Sequence, residues 1–303
     1  MSAMADSRAG RILLLFSGAL GDFLLLAPSI AALRASNAEV ELSVSRALEP
    51  LARELFPGPM GPPADGAVMG SLFAAETHPD LGAWLRGAAR VDAWLGEPAV
   101  LERHARALGI GVVRRLHVER GEAGPHAAAA YASMLGVAPI PPPVPPAWCE
   151  PALLRPRTLV LHPGAGGAAK RWAAAGFRAV ADAWRARGGD ALVLLGPAEE
   201  GEERAWRGTG HEVVAGLALG EVARLLAAVP CYVGNDSGIG HLAGMVGCRG
   251  IVLFGPTHPA RWRPLGDGLE PLIFTGRNVE ETCRDALARL APGGHLDTPG
   301  HRH

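Results

Sequence analysis

The run Arg11–Ala35, RILLLFSGALGDFLLLAPSIAALRA, is almost continuously apolar and carries one carboxylate, Asp22, between Gly21 and Phe23. That charge decides between two readings. A secretory leader or membrane anchor needs an unbroken apolar centre, and an Asp in the middle of an inserted helix costs roughly 2.5–3.5 kcal/mol. A short buried strand, a glycine-containing turn and a helix hold the same residues without that penalty. The expectation is therefore a strand over Ile12–Phe16, a turn over Ser17–Asp22 and a helix over Phe23–Ala35. In that helix the apolar positions run through Leu24, Leu25, Ala27, Ile30, Ala31 and Leu33, with Pro28 in the first turns and Arg34 near the end. Asp22 then sits where a strand hands over to a helix, which in open parallel α/β sheets is the end that binds ligands.

The chain has 303 residues, 49% hydrophobic and 19% charged, enough to bury the cores of two domains. Lys and Arg total 29 against 30 Asp and Glu, so no net basic field draws it to nucleic acid. Cys149, Cys231, Cys248 and Cys283 form no CxxC and no metal-ligand spacing, so free thiols in a reducing cytoplasm are expected. With no other bilayer-length apolar stretch, any membrane contact is expected to be peripheral.

The boundary of the two halves is APIPPPVPPAWCEPALLRPR, Ala138–Arg157, whose prolines exclude helix and central strand. Upstream, strands are expected at Val40–Val44, Val91–Leu95 and Val112–Val118, helices at Leu48–Leu55, Ala99–Leu108 and His126–Gly136, and a loop at Phe56–Gly66. Downstream the alternation is cleaner. Strands at Thr158–His162, Ala191–Leu195, Cys231–Val233 and Gly250–Phe254 are separated by helices at Ala174–Arg187, Leu219–Val229 and Ile239–Val246, the pattern of a parallel sheet. Phe177, Val180, Ala181 and Trp184 form one apolar stripe, Gly188-Gly189 ends that helix, and a last helix spans Val279–Leu290.

Three stretches carry chemistry. LVLHPGAGGAAKRW, Leu159–Trp172, runs from a strand into a glycine-rich loop ending in Lys170 and Arg171, with Gly164 and Gly166 able to admit a phosphate close to the backbone. Read as a dinucleotide fingerprint it lacks the acid about 20 residues on at the end of the next strand, since Leu195 leads into Gly196-Pro197 and Glu199 lies further along. VGNDSGIGHLAGMVG, Val233–Gly247, places Asn235, Asp236 and Ser237 before Gly238, Gly240 and His241, which is either a helix N-cap or a polar nest for an anion or sugar hydroxyls. LFGPTHPARWRPLG, Leu253–Gly266, puts Thr257, His258 and Arg261 on a loop after a strand. The sequence has no Asp-x-Asp, HExxH, GxxxxGK[ST] or GxSxG, so metal-independent chemistry is the expectation.

Taken in order and spacing, SGALGDFLLLAPSIAALRA, LHPGAGGAAKRW, GNDSGIGHLAGMVG and LFGPTHPARWRPLG resemble glycosyltransferase family 9, the ADP-heptose:lipopolysaccharide heptosyltransferases. The resemblance covers Arg11–Ala35 and Leu159–Gly266 strongly and Tyr131–Gly136 faintly; Ala173 stands where the family usually has Pro. It implies an α/β protein of the GT-B fold, two Rossmann-like domains with parallel sheets facing across a cleft. The expected bounds are 1–140 for an acceptor-side domain, 141–157 for the linker, 158–275 for a nucleotide-sugar domain, 276–292 for a last helix returning to the first domain and 293–303 for a disordered tail. It also implies that Asp22, after Gly21, is the general base and that Lys170, beside Arg171, meets the donor diphosphate. Asp236, Ser237, Gly238 and His241 would hold donor sugar and phosphate, with Gly164, Gly166 and Thr257 lining the same site.

The implied function is inverting transfer, without metal or cofactor, of a sugar from a nucleotide-diphospho-sugar, ADP-heptose first, to a lipopolysaccharide-core or other saccharide or lipid-linked acceptor in the cytoplasm. A base takes the acceptor proton while the leaving diphosphate gains charge. The rivals are a relative using another nucleotide sugar or a protein acceptor, a nonenzymatic nucleotide-sugar binder, and, least favoured, a dinucleotide oxidoreductase.

Overall fold

In the computed structural model the described residues are 10–290 without 37, 75, 95–101, 105, 106, 108, 109, 111, 119–123 and 151–153. They form two compact units, one of Met1–Arg120 with Ala127–Pro143, the other of Gly121–His126 with Val144–His303. Most of the expected helix Ala99–Leu108 and the tail after 290 lie outside the described residues.

The first unit has a four-stranded parallel sheet of β1 (Ile12–Phe16), β2 (Val40–Ser43), β3 (Arg90–Trp94) and β4 (Val112–Arg115) in the order β2-β1-β3-β4. The central strand β1 is buried at all five positions, which is why it reads as a continuous apolar run rather than an alternation. Helix α1 covers Leu20–Ala35 and starts three residues before the expected Phe23, so Asp22 belongs to its first turn. A carboxylate there meets the positive end of the helix, and that favours continuing the helix back through Asp22. Pro28 sits inside α1, and its carbonyl accepts from Ile140 N at 3.2 Å. The loop Phe56–Gly66 runs along the free edge of β2: Gly61 N donates to Leu42 O and Ala64 N to Val44 O, both at 2.8 Å.

In the second unit six parallel strands lie in the order β10-β9-β8-β5-β6-β7, with β5 Thr158–His162, β6 Asp190–Leu195, β7 Glu212–Ala215, β8 Cys231–Asn235, β9 Arg249–Phe254 and β10 Leu269–Ile273. The chain builds outward from β5 to β7, then returns to the other flank of β5 and builds from β8 to β10. The strand order therefore reverses between β5 and β8, and the carboxyl ends of those two strands open a crevice outside the sheet. Helices α2 (Ala174–Ala186), α3 (Leu219–Ala228) and α4 (Gly238–Met245) connect the strands. On α2 the expected stripe is buried at Phe177, Val180 and Ala181, with Trp184 partly so, and Gly188 at φ +82° ends the turn.

The last helix, α5 (Val279–Arg289), packs within the second unit. Its buried Cys283 and Ala286 belong to the core of the second unit, together with Phe177 and Val180 of α2. The apolar side of this helix meets the α2 stripe. All four cysteines are free thiols, three of them buried. Among the described residues no helix is long and apolar enough to cross a membrane.

Candidate functional site

The switch point of the second sheet gathers three of the sequence motifs. β5 ends at His162 and passes into the loop 163–172, whose last turn, Ala168–Lys170, is a short 3₁₀ segment; α2 begins only at Ala174. The two cations thus precede the helix instead of lying in its first turn. Asn235, at the end of β8 and fully buried, closes this loop: its side-chain oxygen accepts from Trp172 N at 3.0 Å and its Nδ2 donates to Pro163 O at 2.7 Å. Asn235, offered by the sequence to either a helix N-cap or a polar nest, is thus a clasp that holds both ends of the glycine-rich loop.

The clasp fixes where Lys170 can reach. Lys170 Nζ donates to Asp236 Oδ2 at 2.7 Å, and Thr257 Oγ1 donates to the same oxygen at 2.6 Å. The Asp236 side chain is only 4% exposed, whereas that of Lys170 is 34% exposed. Loops after β5, β8 and β9 thus converge on one carboxylate. Arg171 turns elsewhere, donating to Glu199 and Glu202, each at 2.8 Å. Burial pushes the Glu199 carboxyl up, against the Gly196 N–H and the Arg171 charge that pull it down. Gly164 serves this same pair, because a Cβ there would stand 2.5 Å from the Glu199 carboxyl. Gly166, by contrast, faces open space, as a residue beside a ligand should.

Ser237 caps α4, accepting from Gly240 N at 3.4 Å, and Gly238 opens the helix with its amide in the first turn. His241 lies one turn in and is buried; burial brings it down to about 4, against the pull of Asp236 and with the push of His126 and Lys170. Its Nδ1 has no hydrogen-bond partner among the described residues. Of the third loop only Thr257 reaches the carboxylate. His258 caps the turn Pro259–Trp262 through Ala260 N, and Arg261 is buried with Nη1 on Pro125 O at 3.2 Å.

In the first unit the strand order also reverses, between β1 and β3, and Gly21 and Asp22 follow the carboxyl end of β1. Asp22 Oδ1 accepts from Tyr131 Oη at 3.4 Å, and Tyr131 is packed edge-on against Trp94 with centroids 5.9 Å apart. Tyr131 carried only the faint family resemblance of Tyr131–Gly136 in an apolar helix, so the sequence did not mark it as a partner of Asp22.

Two doubly wound parallel units, each with polar groups at its switch point, make this a protein of the GT-B class. Residues 140–288 match the family model of glycosyltransferase family 9 (heptosyltransferase). Lipopolysaccharide heptosyltransferase 1 of Pseudomonas aeruginosa is 34% identical over 107 residues, a stretch that is 34% of this chain and 30% of that protein. A glycosyl transferase family 9 structure from Veillonella parvula shares the fold with a TM-score of 0.70 at 18% identity, covering 94% of this chain and 92% of that one. The E. coli heptosyltransferase WaaC with ADP gives 0.69 at 18% identity, covering 92% and 98%.

The site's histidines set a pH dependence. His162, buried, donates from Nδ1 to Leu194 O, and burial lowers its pKa from 6.5 to about 4. Above pH 6.5 it is neutral folded and unfolded; below that the unfolded chain binds a proton that the fold refuses, so stability falls as pH drops toward about 4 and then levels off. Urea melts should show wild type losing on the order of 3 kcal/mol more than His162→Gln across that window. Parallel profiles for the two proteins would contradict the assignment.

Proposed function

We propose that the protein is an inverting glycosyltransferase that moves heptose from ADP-heptose to a lipopolysaccharide-core saccharide without a metal ion, in the cytoplasm at the inner membrane. The observation that carries this reading is the Lys170–Asp236–Thr257 cluster at the switch point of a sheet matching the heptosyltransferase family. A cation on a flexible stem, the open space over Gly166 and the first amides of α4 suit a leaving diphosphate. Growing negative charge on that group is stabilised by donors already fixed in place, which is the largest lever available to such a site.

Asp22 is the proposed base. It follows β1 in the first turn of its helix, half-buried, with the Tyr131 hydroxyl oriented on Oδ1. A carboxylate so held can take the acceptor proton as the hydroxyl attacks the anomeric carbon. Ser237, Gly238 and His241 are assigned to the donor, with neutral His241 available as a hydrogen-bond partner rather than as a charge. Arg171 and Gly164 are assigned a supporting part, keeping the loop in shape through Glu199.

Incubation of the purified protein with a panel of nucleotide sugars tests the donor. ADP-heptose should raise Tm and be slowly hydrolysed in EDTA, and Lys170→Ala should weaken donor use roughly ten- to hundredfold. Dependence on added Mg²⁺ would sink the metal-free chemistry, and a response to NAD but to no nucleotide sugar would sink the donor reading.

The base is tested separately. In Asp22→Asn, turnover should fall ~10²–10⁴-fold while ADP still raises Tm as in wild type. Near-normal turnover would remove Asp22 from the mechanism.

A further inference from the structure

Both cations of the glycine-rich loop are already paired within the protein: Lys170 with Asp236, and Arg171 with Glu199 and Glu202. Two positive charges face three carboxylates, and the histidine beside them, His241, is held neutral by burial. A diphosphate entering this site therefore meets no surplus of positive charge and must take a cation from a carboxylate. Lys170 is the one it can take. It is held by one carboxylate at the end of a flexible four-carbon stem, whereas Arg171, 28% exposed against 34%, is held by two, and the acceptor of Lys170 is fixed from the other side by Thr257.

We propose that Asp236 holds Lys170 in reserve and competes with the donor diphosphate for it, while Thr257 keeps the carboxylate in place as the ammonium swings away. The inference rests on the donor reading above and adds to it a direction: the carboxylate opposes nucleotide binding. When Lys170 leaves, a largely buried anion loses its charge partner and gains an anionic neighbour, and both effects weaken binding. The same competition eases release of the nucleoside diphosphate product, because Asp236 recaptures the ammonium.

Titration calorimetry of ADP, with GDP and UDP alongside, into the full chain tests this in wild type, Asp236→Asn, Lys170→Ala and the double variant. Asp236→Asn keeps the shape and the Thr257 bond but removes the charge. It should bind ADP about three- to tenfold more tightly, the gain expected from relieving one partly exposed ion pair. That gain should be absent in the Lys170→Ala background. Asp236→Ala, which adds no amide, should shift Kd the same way and serves if the Asn variant does not fold. Unchanged or weaker ADP binding in folded Asp236 variants would overturn the proposal, and so would an equal gain without Lys170, which would mark simple removal of a repelling charge. If wild type binds none of the three nucleotides, the donor reading falls and takes the inference with it.

Discussion

The second unit turns on a single carboxylate. Asp236 receives Lys170 and Thr257 on one oxygen, so loops leaving three different strands are tied at the point where the sheet changes direction. Buried polar groups persist only when satisfied, and here satisfaction requires that all three loops adopt one conformation together. Asn235, the residue before it, adds the clasp on the glycine-rich loop through Trp172 and Pro163. Two adjacent side chains at the end of β8 thus fix the backbone and the charge of the site. The apolar sheet beneath, buried on both faces, supplies the rigid edge from which they project.

Much of this was legible in the sequence because parallel strands buried on both faces read as apolar runs. β1 and β5 have the bounds expected of them, the helix after β5 ends one residue early, and the helix after β8 is shifted by one residue at each end. Two strands were missed. β7 is four residues with an acid at its start, and β10 carries Pro271; both lie at sheet edges, where packing is one-sided and a proline is tolerated. The start of α1 was set too late because Gly21 reads as a turn, whereas an acid in the first turn of a helix is favourable.

The site was legible in its residue types and less so in its pairings. Lys170, Asp236 and Thr257 stand apart in sequence, and only the β5–β8 reversal brings them together. Arg171 looked equivalent to Lys170 but belongs to Glu199, a residue whose spacing had served only to argue against a dinucleotide site. Asn235 looked like an N-cap or a ligand group and is a structural clasp. These differences share a cause: hydrogen-bond partners across a sheet edge depend on strand order, which local pattern does not encode.

The charge pairing bears on the phosphate recognition proposed for this chain. A glycine-rich loop with two cations suggests an open anion site, yet each cation is balanced by a neighbour before any ligand arrives. On the proposed donor reading, binding becomes an exchange of partners, and its strength is the difference between two charge-assisted bonds. A crystal structure with ADP tests the account most directly. It predicts the diphosphate within hydrogen-bonding distance of Lys170 Nζ, with Nζ moved off Asp236 and Thr257 still bonded to that carboxylate. A diphosphate bound away from the 163–172 loop, or Lys170 unmoved on Asp236 beside it, would contradict it.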